Sequence, residues 1–181
     1  MQVDTKHLGL WHVEPSHSSL EFSARHMMVS KVKGTFGDYE AHVDVRTPFE
    51  DSTVTAVIRT ASIDTRHADR DAHLVNNEFL DVENHPEITF TSTKVTDDTI
   101  EGDLTIKGIT RPITLDWEFE GISEDPWGAT LAGAVARGKF NRKDFDMVWN
   151  VAVETGGVLV GDVVTLTLEV ELVKDNGAPK E

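Results

Sequence analysis

The sequence predicts an all-β fold, an extended antiparallel β-barrel of about eight strands with one short helical segment. Apolar and polar residues alternate along most of the chain, and turn signals separate the alternating runs. Such alternation is typical of antiparallel sheets with one wet face. No run carries the cluster of Lys or Pro that blunts an open sheet edge, which favours a closed barrel over a sandwich with the same alternation.

Nine alternating runs predict the strands. The clearest is 161–173, where Val164, Leu166 and Leu168 share one side with the apolar residues that follow. Asp97-Asp98 joins two runs so closely that it predicts a hairpin. In chain order the predicted strands are 9–15, 18–26, 35–45, 52–62, 87–95, 99–108, 111–121, 129–140 and 161–173.

The segment "RHADRDAHLVNNEFLDVENHPEITF", residues 66–90, opens as a helix. Asp69 or Asp71 can cap its start, and apolar residues follow near helical spacing. Pro86 ends any helix before the next strand. A short helical turn is also expected at "NRKDF", residues 141–145.

The same segment crowds histidines and acidic residues, so a metal site is an alternative. On a helix, however, the six-residue spacing of His67 and His73 separates their directions by roughly 120°. The sequence contains no H-x-x-x-H or H-E-x-x-H pattern, and no G-x-S-x-G surrounds a serine. We therefore predict no metal, no cofactor and no catalytic residue. A metal-assisted hydrolase using the loop histidines remains the enzyme alternative.

Composition narrows the classes of partner. With 17 basic and 32 acidic residues the net charge is −15, which repels nucleic-acid phosphates. Cysteine is absent, which excludes disulfides and thiolate sites. We expect no nucleic-acid partner and no stable membrane insertion, since no run approaches the ~20 apolar residues of a membrane span. The first residues do not read as a secretory signal, so a cytoplasmic location is expected unless a leader was removed.

The inward rows supply candidate ligand-binding residues, although simple core packing explains most single positions. His26 falls on an apolar row and is either a satisfied structural donor or a partner for a ligand's polar head. Methionines suit a site that accepts flexible chains, but they also fill ordinary core gaps. The predicted lining from these rows is Leu20, Phe22, His26, Met27, Phe36, Val43, Ile58, Phe90, Ile106, Leu115, Trp117, Phe119, Met147, Trp149, Leu166 and Leu168.

Four blocks of the sequence, in order, resemble the YceI-like, polyisoprenoid-binding family. They are "WHVEPSHSSLEFSARHMMVSKVKGTFGDYEAHVDV", "ASIDTRHADRDAHLVNNEFLDVENHPEITF", "GDLTIKGITRPITL" and "ARGKFNRKDFDMVW". Four positions depart from the family pattern. Glu14 stands where Asp is usual, Arg66-His67 replaces Gly-Asn, and Asp146 replaces Gly.

The resemblance implies a lipocalin-like barrel that binds and sequesters or transports a long-chain isoprenoid or other amphiphile, such as a polyprenyl phosphate or prenylated quinone. It implies that Leu74, Phe79 and Leu80 face the lumen or core, and that Arg70 and Asp71 fix the loop. The family is often dimeric, and the sequence leaves a homodimer open. A ligand-free, stress-related barrel filled by side chains is a further alternative. The expected single domain is 7–174, with flexible tails at 1–6 and 175–181.

Overall fold

The computed structural model describes residues 2–152 and 157–175, and strands dominate it. A single α-helix of seven residues lies among them, and short 3-10 turns interrupt the chain elsewhere. The elements are β1 (Gly9–Val13), β2 (Ser19–His26), β3 (Ser30–Phe36), β4 (Tyr39–Val45), β5 (Thr53–Arg59), β6 (Ile63–Asp64), α1 (Ala68–Leu74), β7 (Glu87–Val95), β8 (Thr99–Ile106), β9 (Ile109–Glu124), β10 (Thr130–Asn141) and β11 (Val160–Lys174). None of the described helices is both long enough and apolar enough to cross a bilayer.

The strands form one closed antiparallel barrel. The order β1-β4-β5-β7-β8-β9-β10-β11 returns to its start because β1 also pairs with β11. Closure of the predicted eight-stranded antiparallel barrel is thus confirmed.

Three of the eight barrel positions are broken strands, which the sequence did not predict. β11 pairs with β2 along 160–169 and with β1 along 172–174, so β1 and β2 act as one strand interrupted at Pro15–His17. In the same way β3 continues into β4, and β5 into β6. The predicted strand 35–45 begins at Ser30 and breaks after Phe36, and β6 was not predicted.

Closure of the barrel leaves part of one strand edge, on β3, without a partner among the described strands. β3 pairs with β2 on one side, but on its other side only Thr35 and Phe36 pair with another described strand, β6. The first part of β3 is therefore a free edge, and it carries Lys31 and Lys33. These are the charged residues that protect a free edge from pairing with other chains.

The predicted helix is present, but it begins at Ala68, before the predicted caps, and ends at Leu74, so Phe79 and Leu80 lie in the loop after it. His67 is the N-cap residue, and its Nδ1 accepts a hydrogen bond from the Arg70 amide at 3.3 Å. Asp71, predicted as a possible cap, instead accepts hydrogen bonds from the Thr65 amide (3.0 Å) and the Thr65 hydroxyl. A 3-10 turn at Arg142–Phe145 occupies the predicted "NRKDF" turn.

Arg70 and Asp71 both fix the loop through Thr65. The Arg70 guanidinium donates to the Thr65 hydroxyl (Nε, 2.7 Å) and to the Thr65 carbonyl (Nη2, 2.8 Å). Thr65 is buried, so each of its polar groups needs a partner. This cluster joins β6 to α1 and thereby holds the helix against the barrel.

Two residues that depart from the family pattern lie where that pattern has glycine. Arg66 has a φ of 61° and Asp146 a φ of 59°, both in the left-handed region. Asp146 ends the 3-10 turn at Arg142–Phe145. Asp tolerates this conformation better than most residues, whereas Arg does not.

We expect Asp71→Asn to lower the free energy of unfolding by about 1–3 kcal/mol, because buried donors on Thr65 lose their charged acceptor. Urea unfolding would measure the change. The control is Asp69→Asn on the exposed side of the same helix, which should shift stability by less than about 0.5 kcal/mol. Equal losses in the two variants would contradict the role assigned to Asp71.

Candidate functional site

An apolar cavity of about 630 Å³ runs along the inside of the barrel. Its wall comes from the inward rows of the strands, because alternate side chains of a strand point to the same face. Sixteen of the nineteen predicted lining residues border it. They are Leu20, Phe22, Phe36, Val43, Ile58, Leu74, Phe79, Leu80, Phe90, Ile106, Leu115, Trp117, Phe119, Met147, Leu166 and Leu168.

Three predicted lining residues lie elsewhere. His26 ends β2 and Met27 begins the turn after it, where Met27 is 44% exposed. His26 still pairs with Val160 of β11, across a register shift between Val160 and Val164, but it lies beyond the end of the cavity wall. Trp149 packs behind α1, where its ring contacts those of His73 and Phe79 at centroid distances of 4.5 and 5.6 Å.

One end of the cavity is closed by the helical segment. Phe79 and Leu80 are buried there together with Ile106, Phe145 and Met147. Leu80 is held by a hydrogen bond from its amide to the Leu74 carbonyl, at 3.0 Å. The loop after α1 therefore folds back and places its apolar residues across the barrel end.

The other end is the mouth. Phe119 and Ile122 border the cavity yet remain exposed. Strand register puts Ile122, Ala132, Leu172 and Val13 side by side at this level. Part of the predicted flexible tail 1–6 lies here, since Gln2, Val3 and Asp4 line the rim and a 3-10 turn forms at Thr5–His7. Met1 and 176–181 lie outside the described residues.

Glycines keep the lumen open although its walls carry large side chains. A Cβ on Gly34 would lie 2.4 Å from Cζ of Phe22, and one on Gly102 would lie 2.4 Å from Cζ of Phe90. The tip of each aromatic ring therefore occupies the space over a glycine of the neighbouring strand, where a side chain would otherwise stand. The sequence showed these glycines only as strand-interior residues, which mark a close approach of some kind.

The charged side chains at the wall are engaged elsewhere. Glu21 and Glu40 border the cavity but pair with Lys33 (2.8 Å) and Arg59 (2.9 Å). Arg142, which sequence reasoning missed, is buried and donates to the carbonyls of Met147, Trp149 (2.9 Å) and Gly161 (3.0 Å). Burial lowers the pKa of Arg142, while Asp162 opposes the shift. Arg142 thus fixes the loop before β11.

The loop histidines have separate structural partners. His67 caps α1, Nε2 of His73 lies 2.7 Å from Glu78, and Nε2 of His85 lies 3.9 Å from Asp81. Across residues 2–152 and 157–175, no group of three His, Asp or Glu side chains is placed to hold a metal ion. The histidines and acidic residues that lie close together in the sequence are therefore spread over the surface of the helical segment.

Comparison with known proteins decides the family. The YceI-like domain model matches residues 11–172. The chain belongs to the YceI-like family. A UPF0312 protein of Staphylococcus aureus strain N315 is 41% identical over 159 residues, covering 86% of this chain and 92% of that protein. A UPF0312 protein of Staphylococcus epidermidis is 39% identical over 164 residues, which cover 88% of this chain and 95% of that protein.

Solved structures share the YceI-like fold. A Campylobacter jejuni YceI protein superposes with a TM-score of 0.69 at 30% identity, over 84% of this chain and 90% of that one. BcnA of Burkholderia cenocepacia superposes with a TM-score of 0.71 at 19% identity, over 88% of this chain and 98% of BcnA. A domain from Saccharophagus degradans described as polyisoprenoid-binding superposes with a TM-score of 0.67 at 9% identity, over 91% of this chain and 98% of that domain. The last two likenesses concern the fold alone.

We expect Gly34→Ala to lower the free energy of unfolding by about 1–3 kcal/mol, because the new methyl overlaps the Phe22 ring. Gly133→Ala is the control, since its Cβ would meet nothing closer than 3.4 Å. In urea unfolding, adding Phe22→Leu to Gly34→Ala should recover part of the loss. Strict additivity of the two changes would contradict the contact.

The buried hydroxyl of Tyr39 should make the stability of the protein sensitive to alkaline pH. This hydroxyl is buried without a hydrogen-bond partner in the described chain, and desolvation raises the pKa of Tyr39 above the usual 10.0. The folded state then holds its proton longer than the unfolded state, so this group weakens stability as pH rises through and above 10. Tyr39→Phe should be at least as stable as the parent near neutrality and less sensitive to alkali.

Tyr39 is the sole tyrosine, so tyrosinate absorbance reports its ionisation directly. The absorbance should rise only above the pKa of free tyrosine, or together with unfolding. An ordinary titration of the folded protein would show that the hydroxyl reaches water.

Proposed function

We propose that this protein binds a long apolar lipid of the isoprenoid class inside its barrel and thereby keeps it out of water. One observation carries the proposal, namely an open cavity of about 630 Å³ whose wall is almost entirely aliphatic and aromatic. The size lies within the range of known ligand cavities. The polyisoprenoid-binding description of the Saccharophagus degradans domain, which has the same fold, supports the choice of ligand class.

Burial of hydrocarbon supplies the driving force. Each methylene group moved from water into the cavity contributes about 0.8 kcal/mol, so two isoprene units offer about 8 kcal/mol before the cost of ordering the chain. A smooth apolar wall distinguishes chain length and width better than it distinguishes chemical identity. The protein needs no catalytic step to perform this function.

The cavity also orients an amphiphile. A charged head buried without a partner would be strongly unfavourable. Glu21, Glu40 and Arg142 are already paired, so the described inner wall offers no free charge to such a head. The mouth carries polar residues, including Asp4 and His7. We therefore place the tail toward Phe79 and Leu80 and the head at the mouth.

The open volume disfavours the ligand-free alternative, in which side chains fill the barrel. Organic extraction of the purified protein followed by mass spectrometry tests the proposal directly. A long-chain lipid in stoichiometric amount supports it. Protein from several hosts that carries no lipid and takes up none in reconstitution would refute it. The homodimer and the cytoplasmic location stay predictions.

Leu115→Phe and Trp117→Phe should shift the preferred chain length of the lipid. The first substitution narrows the cavity at this point and the second widens it. Trp117 is fixed by a hydrogen bond from its indole Nε1 to the Thr96 carbonyl, at 3.0 Å, and by ring contact with Phe49. Titration with a prenyl series of graded length would measure the preference. We expect Leu115→Phe to favour shorter or thinner chains and Trp117→Phe to accept bulkier ones.

Urea unfolding of both variants provides the control for folding. If both remain folded and keep the parent's length preference, the lipid does not run along this row. The matched control variant is Thr114→Val, which changes the outward-facing neighbour of Leu115 and should leave binding unchanged.

A further inference from the structure

The turn between β2 and β3 is formed by residues that rarely adopt its backbone conformation. Met27 and Met28 have φ values of 47° and 62°, and the Val29 amide donates to the His26 carbonyl at 3.1 Å. Left-handed φ at both central positions is the pattern of a type I′ turn, which strongly prefers Asn-Gly. Two methionines therefore hold a turn that they do not favour, which indicates a role other than folding.

The same turn exposes a continuous apolar surface. Met28 is 57% exposed and Val29 is 82% exposed. Val151, also exposed, lies close by, because the Leu159 amide donates to its carbonyl and the Leu159 carbonyl accepts from the Met27 amide, both at 2.9 Å. Consecutive exposed apolar residues are unfavourable in water and are unusual unless they contact something.

Two cations, Arg25 and Lys31, flank this apolar tip. Arg25 and Lys31 lie directly opposite each other across the hairpin. Like charges in this position destabilise a sheet. Neither forms an ion pair within the part of the chain that the structure describes, whereas Lys33 is paired with Glu21. In a chain of net charge −15, an unneutralised pair of cations beside apolar side chains forms a local amphipathic surface.

We propose that this tip, defined as Arg25–Lys31, docks the protein reversibly on an anionic lipid bilayer. Met27, Met28 and Val29 enter the boundary between headgroups and acyl chains, and Arg25 and Lys31 bind lipid phosphates. Shallow insertion of apolar side chains combined with basic residues is a general mode of interfacial binding. A projecting tip with flexible thioether side chains suits a soft bilayer, whereas a protein partner would need a matching pocket.

The remaining charge of the protein limits this docking without preventing it. At physiological ionic strength charges are screened beyond about 8 Å, so the bilayer interacts mainly with the tip. The tip of the β9–β10 hairpin provides the contrast. Trp127 is 89% exposed there, but Glu124 and Asp125 precede it, and an acidic tip is repelled by anionic lipids. The cavity mouth lies away from the Met27–Val29 end and stays open in this orientation.

Flotation with vesicles of phosphatidylglycerol and phosphatidylcholine tests the proposal. The parent should bind mixed anionic vesicles more tightly than pure phosphatidylcholine, and added salt should weaken the binding. Met27→Asn combined with Met28→Gly should reduce vesicle binding about tenfold or more, because two apolar side chains are lost. The same double variant supplies the preferred type I′ residues, so it should unfold at an equal or higher urea concentration.

Arg25→Gln with Lys31→Gln should bring binding to anionic vesicles down to the level for phosphatidylcholine. Trp127→Ser is the matched control at the acidic tip and should bind as the parent does. The proposal is overturned if the parent binds neither kind of vesicle, which would leave a protein as the occupant of the tip. It is also overturned if the Asn-Gly variant binds as the parent does, or if Trp127→Ser abolishes binding.

Discussion

The contact of large inward side chains with glycines on neighbouring strands underlies the architecture. Closure through β1 and β11 fixes the number of strands around the barrel, and barrels of eight strands have only enough interior to be filled by side chains or to hold one small ligand. Phe22 lies over Gly34 and Phe90 lies over Gly102, so bulky walls leave space at the centre. Rings standing upright at these positions would fill that space, and the protein would have a core in place of a cavity.

The polar groups near the cavity are used to fix its ends. Arg142 binds backbone carbonyls of the segment that leads into β11, and Thr65 joins Arg70 and Asp71 beside α1. Each of these charged groups is satisfied by fixed partners, so none remains to hold a ligand's head inside. The barrel therefore combines rigid, polar connections at one end with an apolar lumen and a polar mouth.

Charge and apolar surface are distributed unevenly over the outside. Acidic residues outnumber basic ones almost two to one. The tip Arg25–Lys31 differs in combining exposed apolar residues with two cations, Arg25 and Lys31, that form no ion pair within residues 2–152 and 157–175. The left-handed backbone of Met27 and Met28 lowers the stability of this turn, which fits the proposed role of the tip in binding a bilayer. In the proposed docking orientation this tip contacts the bilayer, and the cavity mouth at the other end of the barrel stays in water.

The sequence by itself determined the antiparallel class and most of the inward wall, because period-two alternation states directly which side chains share a face. Alternation does not distinguish a barrel from a sandwich, so closure was decided by the pairing of β1 with β11. It also located α1 and the turn at Arg142–Phe145. It did not determine the breaks that divide β3 from β4, the free edge of β3, or the position of His26 and Met27 outside the cavity wall, since alternation does not show where the cavity ends. Only the tertiary structure decided that the lumen is open, because that depends on Gly34 and Gly102 lying under rings that are distant in sequence.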